Sequence, residues 1–169
     1  FVDYPGSWSI SEKTFIQCVL DIIESIAKHN DNQLILLNTG IRTIRPLEAA
    51  ITQSPYQHRT TLINVYSGKH FTAVVEDIEE QIQGGHADEI ETSIMLAIDK
   101  SLVDMKSAKP GLKDIKKGPL NLFDPKEHNY CPTGAMGNPT LASVEKGEKF
   151  LNAILADLND RISSIINVK

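Results

Sequence analysis

Residues 9–38 read SISEKTFIQCVLDIIESIAKHNDNQLILLN, and this stretch decides the fold class. Ser9-Ile10-Ser11-Glu12 fits a capping box, with Ser9 as N-cap and Glu12 reaching back. Phe15, Cys18, Val19, Ile22, Ile23 and Ile26 then recur at the three- and four-residue spacing of one helical face. The polar turn His29-Asn30-Asp31-Asn32 closes the helix. Leu34-Ile35-Leu36-Leu37 follows, apolar at every position and of strand length. Such a run after an amphipathic helix predicts a parallel strand covered on both faces.

The pattern continues outward. A helix is expected from Arg45, with Pro46 near its first turn. Residues 61–66, TLINVY, read as a second strand. Residues 72–82 form an acidic, partly exposed helix, and residues 89–98 a short one. Residues 121–139, rich in Gly and Pro, are loop. The last helix starts near Ser143 and runs to about Asn167. Its stripe is Phe150, Leu151, Ile154, Leu155, Leu158, Ile162, Ile165 and Ile166. Helices alternating with apolar strands give an α/β class with a mainly parallel sheet. Two strands do not make a stable open sheet. The remainder is expected from weaker strands here, from a missing segment or from a partner chain. No internal repeat is visible, and residues 1–169 read as a single domain.

Composition narrows the function classes. The chain has 169 residues, 41% apolar and 23% charged, with a formal net charge of -5. A net acidic chain lacks the basic face that displaces counterions from phosphate, which argues against a nucleic-acid binder. No apolar run approaches the ~20 residues that span a bilayer. The start, Phe1-Val2-Asp3-Tyr4-Pro5, has neither a basic nor an apolar signal region and no initiator Met. A processed, truncated or longer parent chain is the expectation. Cys18 falls on the first helical stripe and is read as a buried small hydrophobe. Cys131 lies in the Pro/Gly-rich loop. Two cysteines so far apart form neither a disulfide framework nor a zinc site, and a cytoplasmic setting is the default. The five lysines of residues 106–117 read as a solvated loop rather than an anion patch.

Chemistry concentrates in residues 84–95, GGHADEIETSIM. His86, Asp88, Glu89 and Glu91 fall within six residues, after two glycines that let the backbone turn. If Asp88 caps the helix, Glu91 sits over its first turn and His86 reaches the same end. A His and a Glu converging there can share a proton and work on a bound carbonyl or amine. These are also metal-ligand types. Against that, Asp88 and Glu91 fit a capping pair with no chemistry. Glu89 reads as a first-turn carboxylate facing water, and His86 as a loop histidine bonded to backbone.

The wider pattern resembles the creatininase (creatinine amidohydrolase) family. GGHADEIETSIMLAI followed by Leu102-Val103-Asp104-Met105 is similar to the family's His-Ala-Gly-Glu-x-Glu-Thr-Ser stretch, Met-Leu helix and Val-Asp-Met turn. Tyr4-Pro5-Gly6-Ser7, with Ser9 and Ser11, resembles its Pro-Gly-Thr segment. Gly134-Ala135-Met136-Gly137-Asn138-Pro139-Thr140-Leu141-Ala142-Ser143, with Glu145-Lys146-Gly147, resembles its closing loop and last helix. The resemblance implies a three-layer α/β/α sandwich, with the family's N-terminal strands absent from this chain. It implies hydrolysis of non-peptide C–N bonds in cyclic amides or formamides, and homo-oligomers, often hexamers. It implies His86 and Glu91 as the catalytic pair, with Asp88 (Gly in the family) and Glu89 near the substrate.

The same resemblance implies divalent metal, zinc or manganese. Part of that metal site lies upstream of the Pro-Gly segment, and the rest in an Asn-Gly-His turn after the central strand. The matching turn here is Asn38-Thr39-Gly40-Ile41-Arg42-Thr43. Asn38 is kept, but Gly40 replaces the His and has no ligand atom. Arg42 stands where a Glu can be, and it stays cationic. No metal is therefore expected from this chain alone. Two readings follow: a degenerate or incomplete enzyme, completed or not by a second chain supplying the missing segment, or a pseudoenzyme subunit used for binding or assembly. Arg42 is expected to replace a metal cation by neutralising Asp88, Glu89 or Glu91.

Overall fold

The computed structural model describes residues 2–112, 114, 116 and 118–166. Phe1, Lys113, Ile115, Lys117 and residues 167–169 lie outside the described residues. So do two of the five lysines of residues 106–117 and the expected helix end at Asn167. The chain divides into two compact units. One comprises Phe1–Trp8 and Phe71–Ala153, the other Ser9–His70 and Ile154–Lys169.

The second unit opens with α1 (Glu12–Ala27), capped by Ser11 rather than the expected Ser9. The Ser11 backbone is extended and its Oγ accepts the Thr14 N–H at 3.1 Å. Glu12 is therefore the first helical residue, and Thr14 occupies the third position. The buried line is centred on Ile23 and Ala27. Cys18, Ile22 and Ile26 lie one row further round and are exposed. The apolar stripe is wider than the face that is buried, which overturns the expected burial of Cys18.

β1 (Leu34–Asn38) and β2 (Thr60–Asn64) pair in parallel, from Leu34 opposite Thr60 to Asn38 opposite Asn64. Among the described residues the sheet has these two strands. Coverage of β1 is incomplete, with Leu37 53% exposed. Between the strands α2 (Ile44–Gln53) carries a buried Pro46 in its first turn, where a missing N–H costs no helical bond. The buried Arg59 seals the end of α1: its Nη2 donates to the Ala27 carbonyl at 2.9 Å and its Nη1 to the Asn30 carbonyl at 2.6 Å. A cation at a helix C-terminus meets the negative end of the macrodipole.

α3 (Lys69–Ile78) begins three residues before the expected Thr72, because its cap comes from far along the chain. In α5 (Val144–Ile166), the buried Asp157 accepts the His70 N–H at 3.1 Å. Gly68 makes room: a Cβ there would lie 1.9 Å from the Asp157 Cγ. One turn on, Arg161 donates to the Ser67 carbonyl at 2.8 Å.

The first unit holds α4 (Glu89–Asp99), within a residue of the expected helix. Gly147 of α5 lets that helix approach closely, since a Cβ there would lie 1.9 Å from the Ser93 carbonyl oxygen. Phe71 and Phe150 pack with ring centroids 6.0 Å apart. The Gly/Pro-rich loop is built rather than free. Leu120, Cys131 and Met136 form a buried cluster against Tyr4 and Leu112. The Cys131 thiol donates to the Ala135 carbonyl at 3.0 Å. No helix among the described residues is long and apolar enough to cross a membrane.

Candidate functional site

His86 sits on the short loop between α3 and α4. Its N–H and carbonyl pair antiparallel with Met136, at 3.4 and 2.8 Å. Asp88 caps α4, accepting the Glu91 N–H at 2.9 Å and the Gln81 Nε2 at 3.0 Å. A carboxylate at this position thus has a structural use that Gly lacks. Glu91 reaches back as a capping carboxylate does, but one residue further than a standard box: its Oε2 accepts the Ala87 N–H at 2.7 Å. Ala87 holds a left-handed backbone, φ 47°, uncommon for a residue with a Cβ.

That turn brings His86 and Glu91 together. The His86 Nδ1 lies 3.8 Å from the Glu91 Oε2, with side chains 45% and 36% exposed. The separation exceeds a hydrogen bond but suits an ion pair, and acid–base pairs often stand long before substrate binds. A solvent-reachable imidazole oriented by a carboxylate can accept a proton from water or deliver one to a leaving nitrogen.

Glu89 departs from expectation. It does not face water; its exposure is 0%. Its Oε2 accepts the backbone N–H groups of Glu80, at 3.0 Å, and Gln81, at 2.7 Å. Lys146 pairs with it, and also binds Glu80 and the Leu141 carbonyl. Burial pulls the Lys146 ammonium down, but the Glu80 and Glu89 carboxylates outweigh this and hold its pKa above the ordinary lysine value. The cation on Glu89 is thus Lys146, where the sequence pointed to Arg42. A faint signal existed. Lys146 lies in the first turn of a helix, where a cation opposes the macrodipole and calls for a counter-charge.

The turn after β1 lies in the other unit. Arg42 is exposed on it, and Gly40 offers only backbone. Asn38 is buried, and its amide is already occupied. The Oδ1 accepts from the Thr43 Oγ1 at 2.6 Å and the Gly40 N–H at 3.2 Å. The Nδ2 donates to the Asn64 Oδ1 and the Gly40 carbonyl, both at 2.8 Å. A divalent metal of the kind the family resemblance implies does not fit this donor set. One engaged amide oxygen, a glycine and a guanidinium supply no ligand charge. Among the described residues, no three His, Cys, Asp or Glu side chains converge as metal ligands would.

Residues 2–162 match the family model for Creatininase, creatinine amidohydrolase. No curated protein matches the chain. Among solved structures, a creatinine amidohydrolase (creatininase) superposes with a TM-score of 0.81 at 23% identity, over 99% of this chain and 69% of that one. A creatininase designated Mn gives 0.79 at 24% identity, over 96% and 67%. A putative creatinine amidohydrolase from Bacteroides fragilis NCTC 9343 gives 0.70 at 19% identity, over 99% and 67%. The fold is the α/β fold of these structures, as the sequence predicts.

Proposed function

Since the chain belongs to the creatininase family, we propose that it is an amidohydrolase-type protein, degenerate as an enzyme, built on one creatininase-like domain spanning residues 1–169. The reaction class is hydrolysis of a non-peptide C–N bond in a cyclic amide or formamide. His86 is the proton shuttle and Glu91 orients it; Asp88 and Glu89 frame the pair instead of touching substrate. The observation that carries this reading is the His86–Glu91 pair, set 3.8 Å apart by a left-handed Ala87.

The Asn38 turn is what supports degeneracy. Family chemistry rests on metal to lower the pKa of water. Here Asn38, Gly40, Arg42 and Thr43 satisfy one another or carry the wrong charge. His86 and Glu91 alone then give little rate. A second reading, a non-catalytic binding or assembly subunit, is favoured by the exposed Ile22, Ile26 and Leu37. On either reading the chain works in the cytoplasm as a homo-oligomer, a hexamer by family resemblance, or with a second chain.

Metal analysis of the purified protein tests the proposal. No divalent ion should be retained after soaking in zinc or manganese and desalting. Two stoichiometric ions per chain would sink degeneracy. Hydrolysis of a cyclic amide or formamide, lost in His86→Ala, would remove the non-catalytic reading.

A further inference from the structure

Residues 79–88 leave α3 and return to α4 as a loop whose two ends are lashed together. The Glu89 carboxylate at the returning end accepts the N–H groups of Glu80 and Gln81 at the departing end. The Gln81 side chain ties the reverse way. Its Oε1 accepts the N–H of Glu89 at 3.2 Å and of Asn138 at 3.0 Å. Its Nε2 donates to Glu79 at 2.7 Å and to Asp88 at 3.0 Å. All of this surrounds one wholly buried carboxylate, whose charge Lys146 balances.

A buried ion pair is a weak source of net stability, because desolvation offsets attraction. Its better use is to fix one geometry. The loop needs such fixing, since it carries the left-handed Ala87, a conformation that persists only where the surroundings over-determine it. Glu91 and His86 meet only while Ala87 holds that turn.

We propose that Lys146, Glu89 and Gln81 are positioning residues, which clamp residues 79–88 in the conformation that presents His86 to Glu91. The role of that pair rests on the functional reading above; the clamp itself does not. Neither Lys146 nor Gln81 acts on substrate. They set the shape of the loop, and removing them lets Ala87 relax and His86 swing away.

Amide hydrogen exchange of the full chain, followed by NMR, tests this. In Lys146→Met the Ala87 and Glu91 amides should exchange at least about tenfold faster through local opening, while those of Leu36 and Ile63 keep their rates. Lys146→Arg should restore protection at Ala87 and Glu91. Gln81→Ala, which leaves the buried charge paired, should open the same loop and serves if Lys146→Met does not fold. Unchanged Ala87 exchange in folded Lys146→Met overturns the proposal. So does equal acceleration at Ala87 and Ile63, which marks general destabilisation. Clamp-dependent Ala87 protection in a wild type without hydrolase activity would sink the functional reading and leave the clamp standing.

Discussion

Gly147→Ala offers a test in which two large effects oppose and the structure says which wins. In an exposed helix interior the change would gain about 1 kcal/mol, because Gly gives up more backbone freedom than Ala. Gly147 is not exposed, and its Cβ would lie 1.9 Å from the Ser93 oxygen, 2.5 Å from the Ser93 carbonyl carbon and 2.8 Å from the Ala97 Cβ. Two of these are backbone atoms, so no side chain can rotate out of the way. α4 and α5 would have to part by more than an ångström. Overpacking of this kind costs roughly 1–3 kcal/mol, and the high end applies where backbone must move. The net expectation is a loss of about 1–2 kcal/mol, opposite in sign to the propensity gain. Urea denaturation followed by circular dichroism measures it. The separation would also draw Lys146 from Glu89, so the Ala87 amide should lose protection in parallel. Equal or higher stability in Gly147→Ala would refute the close helix approach and the placement of Lys146 that depends on it.

Four further outcomes follow from the same structure. Lys146 has a pKa raised above its ordinary 10.5, so its contribution to stability is complete below that value and lost as pH climbs through the folded pKa. A melting-temperature profile should therefore fall above about pH 10.5 in wild type and fall less steeply in Lys146→Met, where burial still holds the Tyr4 hydroxyl above its ordinary value. Asp157→Ala removes the cap that α3 receives from α5 and should cost about 1–2 kcal/mol in urea titration; a change near zero would mean that His70 finds another acceptor. Asn38→Ala strips the buried hub that joins Gly40, Thr43 and Asn64, leaves its half-buried partners short of a hydrogen bond, and should cost about 1–2 kcal/mol. Added zinc should leave the wild-type melting point where it is, and a rise of several degrees would show that the turn accepts metal after all.

Elements with strong periodicity were legible in the residues. Leu34 to Leu37 could be little other than a strand, and Glu89 to Ile98 needed only Asp88 as a cap. The parallel pairing of β1 with β2 also followed from that all-apolar run. Sequence and fold part where a distant residue decides. Residues 72–82 looked helical to Ile82, but α3 starts at Lys69, where Asp157 caps it, and stops at Ile78. After that the Glu80 and Gln81 N–H groups turn to the Glu89 carboxylate. Cys18 and Ile22 fit a helical stripe that the fold uses only in part.

The candidate site divides the same way. Asp88 as cap and Glu91 reaching back were readable, because capping is written within four residues. The burial of Glu89 was not. It depends on a lysine 57 positions away and on backbone groups that expose no side-chain signal. Asn38 stands out in the sequence as the residue kept from the family's turn, whereas its partner Thr43 carries no mark beyond being a threonine in a turn.

The two thiols end on opposite sides of the solvent boundary, Cys18 open on α1 and Cys131 enclosed beside Ala135. Each belongs to a different compact unit. A cysteine must be reached as thiolate to be alkylated. The native chain should therefore take one maleimide quickly and the second only when the unit around Cys131 opens. The protein thereby carries a built-in clock for the opening of that unit, read by mass spectrometry without altering a residue.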